Sequence, residues 1–236
     1  MYKIIIHLIV TVLLLSSCTQ KQEGKHLFIL SGQSNMARLD PVSSFIPTVQ
    51  ESLGENSIIV VKDAKGGQPI RRWYQDWRAP TEGGPSAQPD LYDSLMVKVN
   101  TAIQNEKLAT VTFIWMQGER DARESLGKAY EEGLTGLYYQ ISQDLGREDV
   151  NFIIGRLSDF DLANAQYPHW TMIRGIQVKI GESDPRFAWV NTDDLNDGLN
   201  DQGHIVENDL HMSVTGYKIL GERFANAAIR LVKGGK

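Results

Sequence analysis

Short apolar runs that alternate with longer helical segments constrain the fold of this chain more than any other feature. Compact runs rich in β-branched residues predict five strands, at residues 26–31, 57–61, 110–116, 151–157 and 187–191. Apolar residues at helical spacing predict helices at residues 90–107, 122–145, 172–180 and 214–232. Asp90 can cap the first of these helices, and Gly127, Gly133 and Gly136 weaken the interior of the second.

Strands of this kind predict an α/β fold with a five-stranded parallel sheet covered by helices on both faces. The expected architecture is a three-layer α/β/α, flavodoxin-like domain over residues 26–236. Ligands bind outside the carboxyl ends of the strands in such folds. Residues that directly follow the first three strands should therefore share one rim, and the loop before the last helix can reach it.

The chain length and charge narrow the function classes. The 236 residues suit one domain of the larger α/β sort, and the formal net charge of -5 argues against nucleic acid as the main partner. The balance of charged residues is ordinary for an enzyme and identifies no substrate.

The first 18 residues predict export. Lys3 precedes an apolar run at residues 4–15 that is too short for a membrane span, as in a signal peptide. The run ends in Leu-Ser-Ser-Cys, which resembles the bacterial lipobox and makes Cys18 the expected lipid-anchored residue. Residues 19–25 then form a polar tether to an extracytoplasmic, membrane-anchored domain. The alternative is an incidental thiol near a conventional cleavage site. Because Cys18 is the only cysteine, intramolecular disulfides are excluded.

The first segment on the predicted rim is Gly-Gln-Ser-Asn-Met at residues 32–36. Ser34, placed where a strand passes into a loop or helix, can present its hydroxyl to a cleft and its N–H to an oxyanion. Met36 replaces the second glycine of the G-x-S-x-G elbow, which disfavours an α/β-hydrolase. Taken alone, such a serine is more often an N-cap than a nucleophile.

Two further rim segments offer hydrogen-bond donors. Gly66 and Gly67 follow the second strand and can bring a backbone N–H close to a ligand, although taken in isolation a plain tight turn is the favoured explanation. Gln117 ends the third strand, and its amide can donate to developing negative charge. Glu119 and Asp121 follow as paired acids or as an ordinary charge cluster at a helix start.

His211 lies in the loop before the last helix. Histidine has a pKa suited to taking a serine proton near neutral pH and returning it to a leaving group. A lone histidine is usually structural or merely exposed. Its ability to reach the rim that carries Ser34 makes it a candidate general base.

Together these segments resemble the SGNH hydrolases, in the carbohydrate esterase branch of sialate O-acetylesterase-like and acetylxylan esterase-like proteins. The shared motifs are Gly-Gln-Ser-Asn-Met, Gly-Gly at 66 and 67, Trp-Met-Gln-Gly-Glu at 115–119 with Asp121, and Asp-Leu-His at 209–211. The resemblance covers nearly the whole mature chain, with the motifs in order.

The resemblance implies a serine esterase that removes acetyl groups from carbohydrates and needs no metal or organic cofactor. Ser34 would be the nucleophile and His211 the general acid and base. The oxyanion hole would combine the Ser34 N–H, the Gly67 N–H and the Gln117 side chain. Substrate contact or support is expected from a further set: Asn35, Arg71, Trp73, Glu119 and Asn208.

One position departs from the family pattern. The usual Asp three residues before the histidine is Asn208 here, while Asp209 lies two residues before it. Asp209 could orient His211 after a local shift, Asn208 could do so as a neutral acceptor, or a remote acid such as Glu119 could help. Asp209 is the favoured candidate.

Two rival functions stay open. One is a carbohydrate-binding lipoprotein of the same fold that has lost catalysis, for which Asn208 is the main argument. The other is a lipase or thioesterase for longer acyl chains, which would need an apolar groove. Trp73, Tyr74 and Trp77 could line such a groove, stack on sugar rings or simply pack against the core.

Overall fold

The computed structural model describes residues 23–234 and contains the predicted parallel sheet. Its five strands lie in the order β2-β1-β3-β4-β5, and every neighbouring pair is parallel. This is the flavodoxin-like strand order. The strands are β1 Lys25–Gly32, β2 Ile58–Ala64, β3 Leu108–Met116, β4 Asn151–Gly155 and β5 Phe187–Val190.

Seven α-helices flank the sheet within the described residues. They are α1 Ser34–Arg38, α2 Phe45–Leu53, α3 Asp90–Ala102, α4 Glu119–Arg123, α5 Gly127–Asp144, α6 Trp170–Gly181 and α7 Val214–Val232. A two-stranded antiparallel hairpin, β6 Gly198–Leu199 and β7 Ile205–Val206, precedes α7. This α/β/α arrangement agrees with the fold class expected from the sequence.

Alternation along the strands sends side chains into two separate cores. On β1, Leu27 and Ile29 enter a core with residues of α3, α5 and α6, while Phe28 and Leu30 enter a core with residues of α2 and α7. All four side chains are fully buried. Successive residues of a strand point to opposite faces, so an unbroken apolar run is the pattern of a strand buried on both sides.

The structure differs from the sequence prediction at several helices. The single helix predicted at 122–145 is two helices, because the chain turns at Ser125, which has a φ of 58°. Pro89, rather than Asp90, occupies the N-cap position of α3. Helix α2 and the β6–β7 hairpin were not predicted, since their short segments carry no strong periodicity.

The glycines that weaken α5 make room for neighbouring rings. A Cβ on Gly136 would lie 2.2 Å from the ring of Tyr74, and one on Gly133 would lie 3.0 Å from the ring of Trp77. The segment that follows β2 therefore packs directly on the backbone of α5. In the part of the chain that is described, no helix is both long and apolar enough to span a membrane.

Candidate active site

Ser34 stands at the carboxyl end of the sheet, where β1 passes into α1. Gly32 ends β1 with a φ of +142°, and a Cβ there would lie 2.0 Å from the carbonyl oxygen of Met116. Gln33 then donates its backbone N–H to the same oxygen at 2.9 Å. β1 and β3 therefore pass close to each other at this point. Ser34 follows directly as the first residue of α1, and its side chain is partly exposed.

His211 lies in the loop between β7 and α7 and meets Ser34. Its Nε2 atom is 3.1 Å from the Ser34 Oγ, which is hydrogen-bond distance. Both side chains line one cleft of about 420 Å³ together with Gly66, Gly67 and Glu119. The nucleophile and base predicted from sequence are thus adjacent, although they lie 177 residues apart in the chain.

The surroundings of His211 favour its neutral form. Burial of the ring lowers its pKa below the ordinary value of 6.5, and the positive charge of Arg38 lowers it further. The carboxylates of Asp209 and Asp201 act in the opposite direction. A neutral imidazole at pH 7 can accept the Ser34 proton, as a general base must.

We expect the acidic limb of the pH profile to report this lowered pKa. The general-base role predicted for His211 requires a neutral imidazole, so kcat/KM should fall as the pH drops through a value below 6.5. Arg38→Gln removes one cause of the lowering, so its limb should move to higher pH, most visibly at low salt. Rate profiles of an aryl acetate, with Arg230→Gln as a distant control, measure both effects. A wild-type limb above 6.5 would contradict this assignment.

The two residues proposed to orient His211 from the adjacent loop occupy different positions. The Asp209 Oδ1 atom lies 3.9 Å from His211 Nδ1 and accepts the His211 backbone N–H at 2.7 Å. Its distance to the ring is too long for a hydrogen bond. Asn208 turns elsewhere in the left-handed region, at a φ of 46°. It contacts Asn196 and the backbone of Phe160 instead of the histidine ring.

Asp209→Asn should still reduce turnover without unfolding the protein, because the Asp209 carboxylate stabilises the charged form of His211 that a general base becomes. We expect kcat to fall about 10- to 100-fold, less than the ~10⁴-fold loss seen when a closely bonded triad Asp is replaced. Asp209 is partly exposed, so the urea midpoint should change little. Steady-state kinetics and urea unfolding test this pair of outcomes. Near-normal kcat would assign the orienting role to another group, and Glu119→Gln would then be the next variant.

The Gly66–Gly67 turn lies beside Ser34, and the predicted oxyanion-hole donors are the N–H groups of Ser34 and Gly67. Gly67 has a φ of +70°, a conformation that favours glycine, and a Cβ on Gly66 would lie 3.7 Å from the Ser34 Cβ. Ser34 begins a helix, where backbone N–H groups lack partners within the helix. The Ser34 N–H and the Gly67 loop therefore border the same part of the cleft.

Gln117 is wholly buried and joins the three rim segments. Its Nε2 lies 2.5 Å from Asp121 Oδ2, 3.1 Å from the carbonyl oxygen of Gln68 and 3.2 Å from Gln33 Oε1. An amide nitrogen carries two hydrogens, so protein acceptors already use both. In this arrangement Gln117 fixes the Gly67 loop against β3. Direct donation to an oxyanion would require it to release one acceptor, and its predicted role in the oxyanion hole stays a prediction.

Two buried carboxyl groups, those of Glu119 and Asp121, lie near Ser34. Desolvation raises the pKa of Glu119 to about 7 and that of Asp121 to about 6. Asp121 accepts the backbone N–H of Ile70 at 2.9 Å and thereby connects α4 to the segment that follows the Gly67 loop. Both residues lie in the first turn of α4, as the helix-start interpretation expects, but their side chains are buried and hydrogen-bonded.

Asn35 holds the histidine loop and Glu119 together. Its Nδ2 donates to Glu119 Oε1 at 2.9 Å and to the carbonyl of Leu210 at 3.2 Å. Its Oδ1 accepts from the Tyr217 hydroxyl at 2.8 Å. Sequence reasoning missed Tyr217 in this role, although its place one turn into α7, close after His211, is a usable signal.

The remaining candidates lie outside the cleft. Trp73 is 1% exposed and packs edge-on against Trp115 in the core, so it supports the fold. Arg71 is bound to Glu124 at 2.7 Å. The cleft is instead bordered by Arg38, Arg120 and Arg123, none of which the sequence analysis singled out. Arg120 is paired with Glu124 at 2.6 Å, while Arg38 approaches Asp201 at 3.8 Å.

No group of three or more His, Cys, Asp or Glu residues within residues 23–234 is arranged to hold a metal ion. Cys18, the predicted lipid anchor, lies outside the described residues.

Solved structures share this fold at low sequence identity. A protein from Arabidopsis thaliana is 18% identical with a TM-score of 0.65, and the match covers 87% of this chain and 98% of that one. A carbohydrate acetylesterase from Xanthomonas citri is 16% identical with a TM-score of 0.63, over 88% of this chain and 56% of that one. A family 3 carbohydrate esterase from Talaromyces cellulolyticus is 14% identical with a TM-score of 0.53, over 90% and 100%.

Sequence comparison identifies the family. No curated protein sequence matches the chain. The family model described as carbohydrate esterase, sialic acid-specific acetylesterase matches residues 37–230. This span contains Gly67, Gln117 and His211 and begins three residues after Ser34, so the position of Ser34 rests on the geometry described above. The chain therefore belongs to this carbohydrate esterase family of the SGNH hydrolases, and it is a hydrolase that acts on esters.

Proposed function

We propose that this esterase removes O-acetyl groups from carbohydrates through an acyl-serine intermediate. The observation that carries the proposal is the 3.1 Å contact between Ser34 Oγ and His211 Nε2 in a cleft at the carboxyl edge of the sheet. A hydroxyl next to a neutral imidazole, beside backbone N–H donors, is the arrangement that acyl transfer requires.

The reaction proceeds in two steps. His211 accepts the Ser34 proton while Oγ attacks the ester carbonyl, and the oxyanion is stabilised by the Ser34 N–H and the Gly67 loop. His211 then protonates the departing sugar oxygen, which leaves an acetyl group on Ser34. In the second step His211 takes a proton from water, the water attacks the acyl-serine, and acetate leaves as Ser34 regains its proton.

The lining of the cleft supports a short acyl group. Trp73 and Trp77, two of the three aromatic residues that could line a lipase groove, are 1% and 4% exposed and lie in the core. The Ser34 cleft is bordered by Gly66, Gly67 and charged side chains, with only Ala37, Tyr167 and Leu210 as less polar walls. Leu210 is the only large aliphatic side chain that lines the cleft, which favours a short acyl group.

Three arginines at the mouth of the Ser34 cleft indicate which class of sugar the site binds. Arg38, Arg120 and Arg123 border a cleft of a protein whose formal net charge is -5. A guanidinium group recognises a carboxylate in a bidentate manner. This favours an acidic sugar such as O-acetylated sialic acid over a neutral one within the same proposed activity.

Acetate release from acetylated xylan and from O-acetylated sialic acid tests the proposal. Release that is lost in Ser34→Ala would support the esterase, and the preferred substrate would name the sugar class. Arg123→Gln should raise KM for sialic acid esters and leave aryl acetate kinetics unchanged. Preference for octanoate over acetate in an acyl-chain series would contradict the acetylesterase. The absence of release from these substrates and from aryl acetate would favour the binding-protein alternative.

The N-terminal segment carries a second proposal, that Cys18 is lipid-anchored in a bacterial membrane. β1 begins at Lys25, at the end of the sheet opposite to Ser34, and residues 19–24 can span at most about 20 Å. An anchor at Cys18 would thus keep the cleft facing away from the membrane. Fatty-acid labelling of wild type and Cys18→Ser tests this, and equal labelling of the two would contradict it.

A further inference from the structure

Tyr139 is a large aromatic side chain on the outer surface of α5, remote from the Ser34 cleft, and is 57% exposed. It borders three adjoining cavities of about 580, 130 and 540 Å³. None of the three contains a residue of the Ser34 cleft. Its ring is therefore accessible to a ligand that enters any of the three cavities.

The three cavities form one depression along α5, which we call the α5 groove. It begins beside Lys128 in the first turn of α5 and ends at Gly146, just past the last turn. The 18 residues of α5 extend about 27 Å. α5 runs antiparallel to the strands. The end of the groove beside Lys128 therefore lies at the edge of the sheet that carries Ser34, and the end beside Gly146 lies at the opposite edge, where the strands begin.

Aromatic rings are placed along this groove. The ring centroid of Tyr138 lies 5.3 Å from that of Tyr139 and 4.7 Å from that of Phe187, toward the end of the groove beside Gly146. Near the middle of α5, the ring of Tyr74 packs against the helix where Gly136 leaves room for it. Gly136 thus gives the ring of Tyr74 room to pack at the groove, although glycine lowers the helix propensity of α5.

The polar side chains of the groove balance in charge. Lys179 pairs with Glu131 at 2.5 Å, and Arg186 pairs with Asp184 at 3.3 Å. Ser142, Gln143 and Ser183 add hydroxyl and amide groups to the cavity of about 580 Å³, and Arg147 and Glu148 add one charge of each sign. The exposed ring of Tyr139, together with the partly exposed rings of Tyr74 and Phe187 and polar groups without net charge, suits the apolar face and the hydroxyls of a neutral pyranose.

We propose that the α5 groove is a second binding site that holds a neutral polysaccharide chain and directs it to the Ser34 edge. The inference goes beyond the proposed ester hydrolysis and does not require it. An acidic sugar recognised at the cleft would be a substituent on such a chain. Tyr139 supplies the central stacking surface.

Affinity electrophoresis in gels that contain xylan, glucomannan or soluble cellulose derivatives tests the groove. The full chain is used in the Ser34→Ala background so that the polymer is not altered. We expect retardation by at least one of these polymers. Tyr139→Ala should weaken binding about 3- to 10-fold, while Tyr139→Phe, which keeps the ring, should bind like its parent. Leu162→Ala, exposed at 54% on a loop, is the matched control.

Three outcomes would overturn the proposal. They are retardation by none of the neutral polymers, equal retardation of Tyr139→Ala and its parent, and a dimer in sedimentation that Tyr139→Ala dissociates. The last would assign the groove to a second copy of the chain. With Ser34 intact, Tyr139→Ala should hydrolyse aryl acetate at the wild-type rate. If the wild-type protein did not hydrolyse aryl acetate, that result would instead contradict the proposed esterase mechanism.

Discussion

Ser34→Ala is expected to lower kcat for acetate esters about 10⁴-fold or more. The substitution removes the oxygen that would form the acyl-enzyme, and the neighbouring His211 then has no proton to accept from it. Removal of a serine nucleophile from a comparable Ser–His site costs up to about 10⁶-fold, and the remaining rate comes from the oxyanion donors and substrate binding. Initial rates with an aryl acetate measure the loss.

The control for this prediction is the same Ser→Ala substitution at a serine outside the cleft. Ser94→Ala, on α3, removes a hydroxyl that is bonded to Asp63 and should keep wild-type kcat. Ser34→Ala should also keep the wild-type circular dichroism spectrum and urea midpoint, because its side chain is partly exposed. Retention of substantial esterase activity in Ser34→Ala would exclude the acyl-serine mechanism.

Gly32→Ala is expected to destabilise the fold by about 4 kcal/mol or more, which is exceptional for one methyl group. The added Cβ would lie 2.0 Å from the carbonyl oxygen of Met116, a backbone atom of the neighbouring strand. The two central strands would have to separate, and the turn that presents Ser34 would move with them. Urea unfolding followed by tryptophan fluorescence gives the free-energy change.

Gly146→Ala provides the matched comparison. Gly146 also has a positive φ, of +60°, but no atom lies within 4 Å of the Cβ position. Only the backbone strain remains, which is about 1 to 2 kcal/mol. If Gly32→Ala cost no more than Gly146→Ala, the close approach of β1 to β3 would not be as described.

The sheet could be predicted from sequence because burial on both faces leaves a local signature. Runs such as Leu27–Leu30 are apolar at every position, and the helices between them repeat at 3.6-residue spacing. The break between α4 and α5 could not be predicted in the same way. It depends on Ser125 in the left-handed region, a conformation that serine adopts only under tertiary constraint.

The meeting of Ser34 and His211 was predictable from topology. Parallel strands end at one edge, so the residues after β1, β2 and β3 must lie together whatever their distance in sequence. The hydrogen bonds of the site were not predictable. That Asn208 turns to Asn196, or that Gln117 is held by Asp121, depends on loop conformations that no local pattern encodes. The mouth arginines were missed for the same reason.

The central claim is that Ser34 is the nucleophile activated by His211. Its most direct test is covalent trapping with a fluorophosphonate, followed by mass spectrometry of the digested protein. We predict one adduct, on the peptide that contains Ser34, with labelling strongly slowed in His211→Ala. An adduct on another residue, or no adduct on Ser34 in protein that hydrolyses acetate esters, would contradict the account.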